Sequence, residues 1–208
     1  LVIIASPPPQ FKPSPLFCDL PVGSKLIRIF DPTKYQTQAL TFRYFGPLHR
    51  FDHHNSSLSH PQLDSDRGIY YAALSLSSCL VECFGDTGVI SIDEQCVAVV
   101  ELTRSLLLLD LRGNGAMKAG SVAALAKTAD RKLSQAWSRY FSENEQIYRK
   151  IGGVIYFNAH NDEEAIALYE RAEDGLSCNP NQVIKLDDLR LRPSIQQTAL
   201  DNNLIFIP

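Results

Sequence analysis

The chain has 208 residues and a mass of 23.2 kDa, with 45% apolar and 21% charged residues and a formal net charge of −3. That length suits one hydrophobic core better than two, and the composition excludes a disordered or collagen-like polymer. With 20 basic against 23 acidic residues and a pI near 6.0, the chain carries no electrostatic footprint for direct nucleic-acid binding. No apolar run approaches the roughly 18 residues of a membrane span.

Residues 1–24, with the stretch ASPPPQFKPSP at 5–15, read as an extended N-terminal arm, because proline breaks helices and central strands. The first residues lack the basic segment of a secretory signal. Five cysteines without framework spacing read as reduced thiols, and the expectation is a soluble, cytoplasmic protein. The main domain is expected over 25–192, followed by a tail over 193–208 that contains a short helix and an apolar end.

KLIRIF at 25–30 alternates as a half-buried strand with Arg28 at its centre. Residues 46–67, rich in Pro, Ser and Asp and containing HRFDHHN, read as loop. Strands are expected at 68–73, 96–102, 106–111, 153–158, 165–171 and 183–186. Helices are expected at 74–85, ended by Gly85, and as a pair over 117–150 divided near Asp130. Strands interrupted by helices without regular βα alternation indicate a mixed α+β domain.

Common catalytic motifs are missing: there is no phosphate-binding loop ending in Gly-Lys-Ser/Thr, no GxSxG elbow and no HExxH. His49, His53, His54 and His60 cluster with Asp52, a set able to ligate zinc, but without helical spacing to fix the geometry. A solvated polar loop is the preferred reading. Cys79 and Cys83, four apart among Leu76, Leu80 and Phe84, read as core thiols.

The helix at 74–85 is apolar almost all round, leaving Ser75, Ser78 and Glu82 as its polar stripe. Such a helix is buried, so Glu82 faces either a narrow interior site or, on a surface helix, plain solvent. Arg28 likewise is either an edge-strand arginine, half of an ion pair, or a ligand-binding group.

Taken in order, KLIRIF, FGPLHRFDHHN, IYYAALSLSSCLVECFGD and GVIYFN resemble the RES domain, over about residues 25–190. The resemblance implies a fold similar to the ADP-ribosyltransferases, with a mixed sheet core and flanking helices. It also implies an NAD-consuming toxin paired with an Xre-type antitoxin. Arg28 matches the family's first-strand arginine, Arg50 the arginine before an aromatic, and Tyr71 the tyrosine eleven residues ahead of the glutamate, Glu82. The family's later serine falls at Asn158, so an amide stands where a hydroxyl is expected.

On that resemblance Glu82, Arg28 and Tyr71 are the catalytic candidates, and Arg28, Arg50, Tyr71 and Asn158 the NAD-binding ones. Guanidinium groups suit a pyrophosphate, an aromatic ring suits nicotinamide or ribose, and a carboxylate stabilises the cation that forms when the nicotinamide–ribose bond breaks. Water, phosphate or a protein side chain remain open as acceptor, giving a glycohydrolase, a phosphorylase or a mono-ADP-ribosyltransferase. A non-catalytic nucleotide-binding module is the competing reading. No metal or resident cofactor is expected, NAD being substrate, and apolar segments near both termini leave room for a homo-oligomer.

Overall fold

The computed structural model describes residues 2–207. In chain order the elements begin with β1 (Phe17–Leu20), β2 (Lys25–Phe30), β3 (Phe45–Gly46), β4 (Gln62–Leu63) and β5 (Ile69–Ala73). Then come α1 (Leu76–Phe84), β6 (Val89–Ser91), β7 (Cys96–Leu102), β8 (Leu106–Asp110) and α2 (Gly115–Lys118). A 3₁₀ turn (Ala123–Lys127), α3 (Arg131–Glu143), α4 (Glu145–Tyr148), β9 (Gly153–Phe157) and β10 (Glu164–Tyr169) follow. The chain ends with β11 (Leu176–Ser177), β12 (Val183–Lys185), α5 (Arg192–Asp201) and β13 (Ile205–Ile207).

One nine-stranded sheet organises the molecule in the order β1-β8-β9-β10-β5-β2-β7, with β11 and β12 both on the outer edge of β7. Every neighbouring pair is antiparallel except β8–β9. This is the mixed α+β domain anticipated from the pattern of elements. The central strands β9 and β10 are buried almost throughout, so they read as continuous apolar runs and not as alternating ones.

Alternation along the strands divides the core into two layers. Leu26, Phe30, Tyr70, Ala72, Ile166 and Leu168 face one layer. Ile69, Tyr156, Ala165, Ala167 and Tyr169 face the other, where Trp137 and Phe141 of α3 close the core. A third cluster joins Leu80 and Phe84 of α1 to Ile195 and Ala199 of α5, with Ile27 and Ile29 packed against it. β2 meets β5 only at Ile27↔Ala73, so the sheet opens beyond that pair.

Several expectations are corrected. The loop over 46–67 is solvated only in its second half: Asp52, His53 and His54 are buried, and β4 within it pairs with β3. Of the two helices expected over 117–150 and divided near Asp130, the second is α3, capped by Asp130 and followed by the short α4. The first is only the end of α2 and a 3₁₀ turn, since α2 stops at Lys118 ahead of Gly120, whose φ of +90° suits only glycine comfortably. The prolines of the arm also dock there: a Cβ at Gly120 would lie 2.5 Å from the Pro9 side chain. Trp137 Nε1 donates to the Ala5 carbonyl at 2.8 Å and Ser14 N to the Lys118 carbonyl at 2.8 Å, pinning the arm. Residues 17–20 of the expected arm are strand β1, paired with β8. The short helix expected in the tail is α5, but its apolar end is strand β13, paired in parallel with β6 and so part of the domain. All five cysteines are free; Cys79 is buried, but Cys83 is exposed, the last turn of α1 directing Phe84 into the core instead.

Gly153, opposite Leu168, permits the close approach of β9 to β10: a Cβ there would sit 2.2 Å from the Ala167 carbonyl oxygen. Gly153→Ala is expected to cost ~1–3 kcal/mol through this backbone collision, measured as a lower urea midpoint with unchanged slope.

Candidate active site

The loop that was expected to be solvated is built around one carboxylate. Asp52 is 0% exposed and accepts from four donors. Arg43 Nη2 reaches both of its oxygens at 2.8 Å, His49 N donates at 3.0 Å, Tyr71 O–H at 2.9 Å, and Leu48 N also donates. Burial pushes the Asp52 carboxyl up, but Arg43 and the two backbone N–H groups outweigh it and hold the pKa below the ordinary value. Tyr71 O–H in turn accepts from Phe51 N at 3.0 Å. The turn at 48–52 is therefore closed on the carboxylate, and Arg50 projects from its middle.

Tyr71 and Tyr156 lie on the same face of the sheet, opposite Ala167 and Ala165 of β10, whose small side chains make room for the rings. Phe51 packs on Tyr156 at 4.6 Å between ring centroids, and the His49 ring meets Tyr71 edge-on at 5.7 Å. The hydroxyl of Tyr71 is committed to Asp52 and Phe51, so what Tyr71 offers to a ligand is its half-buried ring.

α1 crosses this face. Its N-cap Ser75 accepts from Ser78 N at 2.9 Å, and Ser75 and Ser77 hydroxyls donate to the Glu163 carboxylate at 2.7 and 2.6 Å. The helix thus carries Glu82 into a narrow environment and not to solvent. Burial raises its pKa, the charges of Arg50 and His160 oppose that rise, and Asp86 adds to it. Among the described residues, Glu82 Oε1 is buried and has no hydrogen-bond partner. Arg50 Nε donates to the Thr128 carbonyl at 3.3 Å, which leaves the other nitrogens of the guanidinium unassigned.

The structure thus gathers Arg50, Tyr71 and Glu82. Arg28 lies elsewhere: it shares the alternation of Leu26 and Phe30 and points to the opposite layer. Its guanidinium stacks 4.1 Å over the Tyr70 ring, and Nη1 donates to the Thr41 carbonyl at 2.7 Å. It stands beside the opening between β2 and β5, and its charge acts on Cys79, one turn before Glu82. Asn158 is 0% exposed and closes the turn between β9 and β10. Its Oδ1 accepts from His160 N and Asn161 N, and its Nδ2 donates to Asn161 Oδ1 at 2.7 Å. Sequence reading missed Arg43, Tyr156 and His160 as neighbours of the site. Only the nearness of Asp52 to Arg50 in HRFDHHN hinted at the hub, and that run read as a solvated polar loop.

The family model of the RES domain matches residues 25–192. The chain belongs to the RES domain family. A curated relative, "Probable toxin y4kH" of Sinorhizobium fredii, is 33% identical over 85 residues, a match covering 41% of this chain and 65% of that protein. The match therefore spans just under two thirds of that relative's length. The crystal structure of the M. tuberculosis MbcT–MbcA toxin–antitoxin complex contains a chain similar in fold, with a TM-score of 0.55 at 14% identity, over 86% of this chain and 90% of that one. This RES domain therefore keeps its architecture where most side chains differ. Among its described residues, no helix is long and apolar enough to cross a membrane.

Breaking the buried hub is expected to be costly for this RES domain. Asp52→Ala leaves Arg43 and Tyr71 without their acceptor and should lower stability by ~3–5 kcal/mol in denaturant titration. A second expectation concerns pH. Burial lowers the pKa of His49 and of His54, so both favour the neutral form in the folded chain. The unfolded chain then binds more protons, and stability present above about pH 6.5 should be lost progressively below it. A melting temperature independent of pH between 7 and 5 would contradict this.

Proposed function

We propose that this RES domain is the toxin of a toxin–antitoxin pair and that it consumes NAD by breaking the nicotinamide–ribose bond, with water or phosphate as acceptor. The observation that carries the reading is the unpartnered, buried Oε1 of Glu82 beside Arg50 and the tyrosine-lined face. A buried carboxylate oxygen left without a donor is costly in the free protein. It is well used when a cation forms against it.

In the proposed reaction the bond between the anomeric carbon and the nicotinamide nitrogen breaks, and its electron pair leaves with nicotinamide. The ribosyl carbon becomes oxocarbenium-like, and the Glu82 carboxylate stabilises that charge in a site of low dielectric. Water or a phosphate oxygen then bonds to that carbon, with loss of a proton when water attacks. Arg50 takes a substrate phosphate through its free guanidinium nitrogens, and the Tyr71 ring flanks the nicotinamide riboside. Arg28 is assigned to the distal part of NAD through the opening between β2 and β5. Asn158 is a positioning residue that shapes the turn bearing His160.

The name of the S. fredii relative and the toxin–antitoxin complex of M. tuberculosis support the toxin role, and an antitoxin partner goes with it. That the antitoxin is of Xre type rests on the family resemblance. The proposed reaction and partner support a cytoplasmic location.

Incubation with NAD, with and without phosphate, should release nicotinamide together with ADP-ribose or its phosphorylated form, read by mass spectrometry. Glu82→Gln should lower turnover by a factor on the order of 10² or more. Because the raised pKa means that ionised Glu82 works against folding, the same variant should melt at a higher temperature than wild type at neutral pH. Wild-type turnover should rise with pH through a value above the ordinary glutamate range. Intact NAD under every condition, or undiminished turnover by Glu82→Gln, would overturn the reading. A mass increase on a protein would assign a mono-ADP-ribosyltransferase instead.

A further inference from the structure

The site has two lips. One is the 3₁₀ turn Ala123–Lys127 and the residue after it, Thr128, whose carbonyl holds Arg50 Nε at 3.3 Å. The other is the turn between β9 and β10, which carries His160 against Glu82 and, two residues on, Asp162. Among the described residues one ion pair joins the lips, Lys127 Nζ to Asp162 Oδ1. It follows that this pair bridges the gap bordered by Arg50 on one side and His160 on the other.

Both supports of the bridge are firmly built. Ala126, next to Lys127, is buried among the residues of the second core layer. The opposite turn is braced by Asn158, which accepts from two backbone N–H groups, and by Asn161, whose Nδ2 reaches Glu163 and Asn202 at 2.8 and 2.9 Å. Asp162 itself has φ of +61°, a left-handed conformation that glycine or asparagine adopts at less cost. The bridge between these supports is solvent-exposed, with the side chains 44% and 64% accessible. Exposed pairs of this kind contribute little to stability and exchange partners readily.

We propose that Lys127 is a second phosphate-binding cation of the substrate site, and that Asp162 is the anion it leaves when the substrate pyrophosphate arrives. This rests on the reading of the site as an NAD donor site. A compact ammonium one residue from the Arg50 anchor suits a pyrophosphate, with Arg50 and Lys127 each able to take a phosphate oxygen. Asp162 then keeps Lys127 extended across the site in the free protein and competes with the substrate for it. Asp162 is a positioning residue that acts through Lys127 and touches no substrate.

The test measures binding by calorimetry in the Glu82→Gln background, where NAD is not consumed. Lys127→Gln should weaken NAD about tenfold. Asp162→Asn should tighten it about threefold, since the competing anion is gone. The double variant should bind like Lys127→Gln alone. Nicotinamide riboside, which carries no phosphate, should bind all variants equally. Unchanged NAD affinity in Lys127→Gln, weaker binding in Asp162→Asn, or an equal loss for nicotinamide riboside would overturn the proposal. Absence of NAD binding by Glu82→Gln with Lys127 intact would overturn the donor-site reading, and this proposal with it. Matching melting temperatures for the Lys127 and Asp162 variants confirm that binding, not folding, is being read.

Discussion

The buried Asp52 carboxylate is the interaction on which the site depends. Four donors from three separate stretches converge on it: Arg43, the backbone of Leu48 and His49, and the Tyr71 hydroxyl on β5. A buried charge is tolerable only when paired and hydrogen-bonded, so each donor is held in place by the need to satisfy the same two oxygens. The consequence is local order in a segment whose composition suggests none. The Arg50 backbone is set between two anchored residues, and the far end of the Tyr71 ring is held in place by its own hydroxyl.

The neighbouring histidines extend this order toward β10. His53 Nε2 pairs with Glu170 at 2.7 Å, and its ring lies 4.3 Å from that of Tyr169. Tyr169 O–H in turn shares a hydrogen bond with Ser138 of α3 at 3.0 Å. Burial pushes the Glu170 carboxyl up, but the His53 contact prevails and holds its pKa below the ordinary value. What looks like a metal-ligand cluster in one dimension is a set of separate braces in three. Asp52 is tied to Arg43 and Tyr71 and His53 to Glu170, while the ring of His54 makes no hydrogen bond among the described residues and the ring of exposed His60 meets only Ser59.

Asp52 and Glu82 show how environment divides the labour between two acids on one face of the sheet. Asp52 is saturated with donors and keeps its charge at low pH, which suits a structural anchor. Glu82 is half-buried with its buried Oε1 unpartnered among the described residues, and its pKa moves the other way. Opposite shifts in neighbouring carboxyls commonly separate a supporting role from a reactive one. Asn158 departs from the resembled family pattern at a place where its amide is fully engaged. Its carbonyl and its NH₂ both serve the turn between β9 and β10, two jobs that a single hydroxyl could not do in the same way.

Much of the fold was legible in the sequence because local pattern and burial coincide there. KLIRIF, IYYAA and GVIYF are strands for the reason their side chains suggest, and the apolar wrap of α1 singled out Glu82 but left open whether its carboxylate is enclosed or in solvent. The ordered motifs also singled out Arg50, Tyr71 and Glu82, which do lie together. What the sequence could not decide is set by contacts distant along the chain. Alternation places Arg28 on the Tyr70 side of the sheet, but nothing local says that the sheet opens beside it. The loop over 46–67 is polar by composition, yet Arg43 and Tyr71 bury its acid, and only tertiary structure brings those partners together. His160 acts on Glu82 from 78 positions along the chain because Asn158 folds one turn. Hydrophobic periodicity is a one-dimensional property and survives in the sequence. The pairing of buried charges is a property of the folded space and does not.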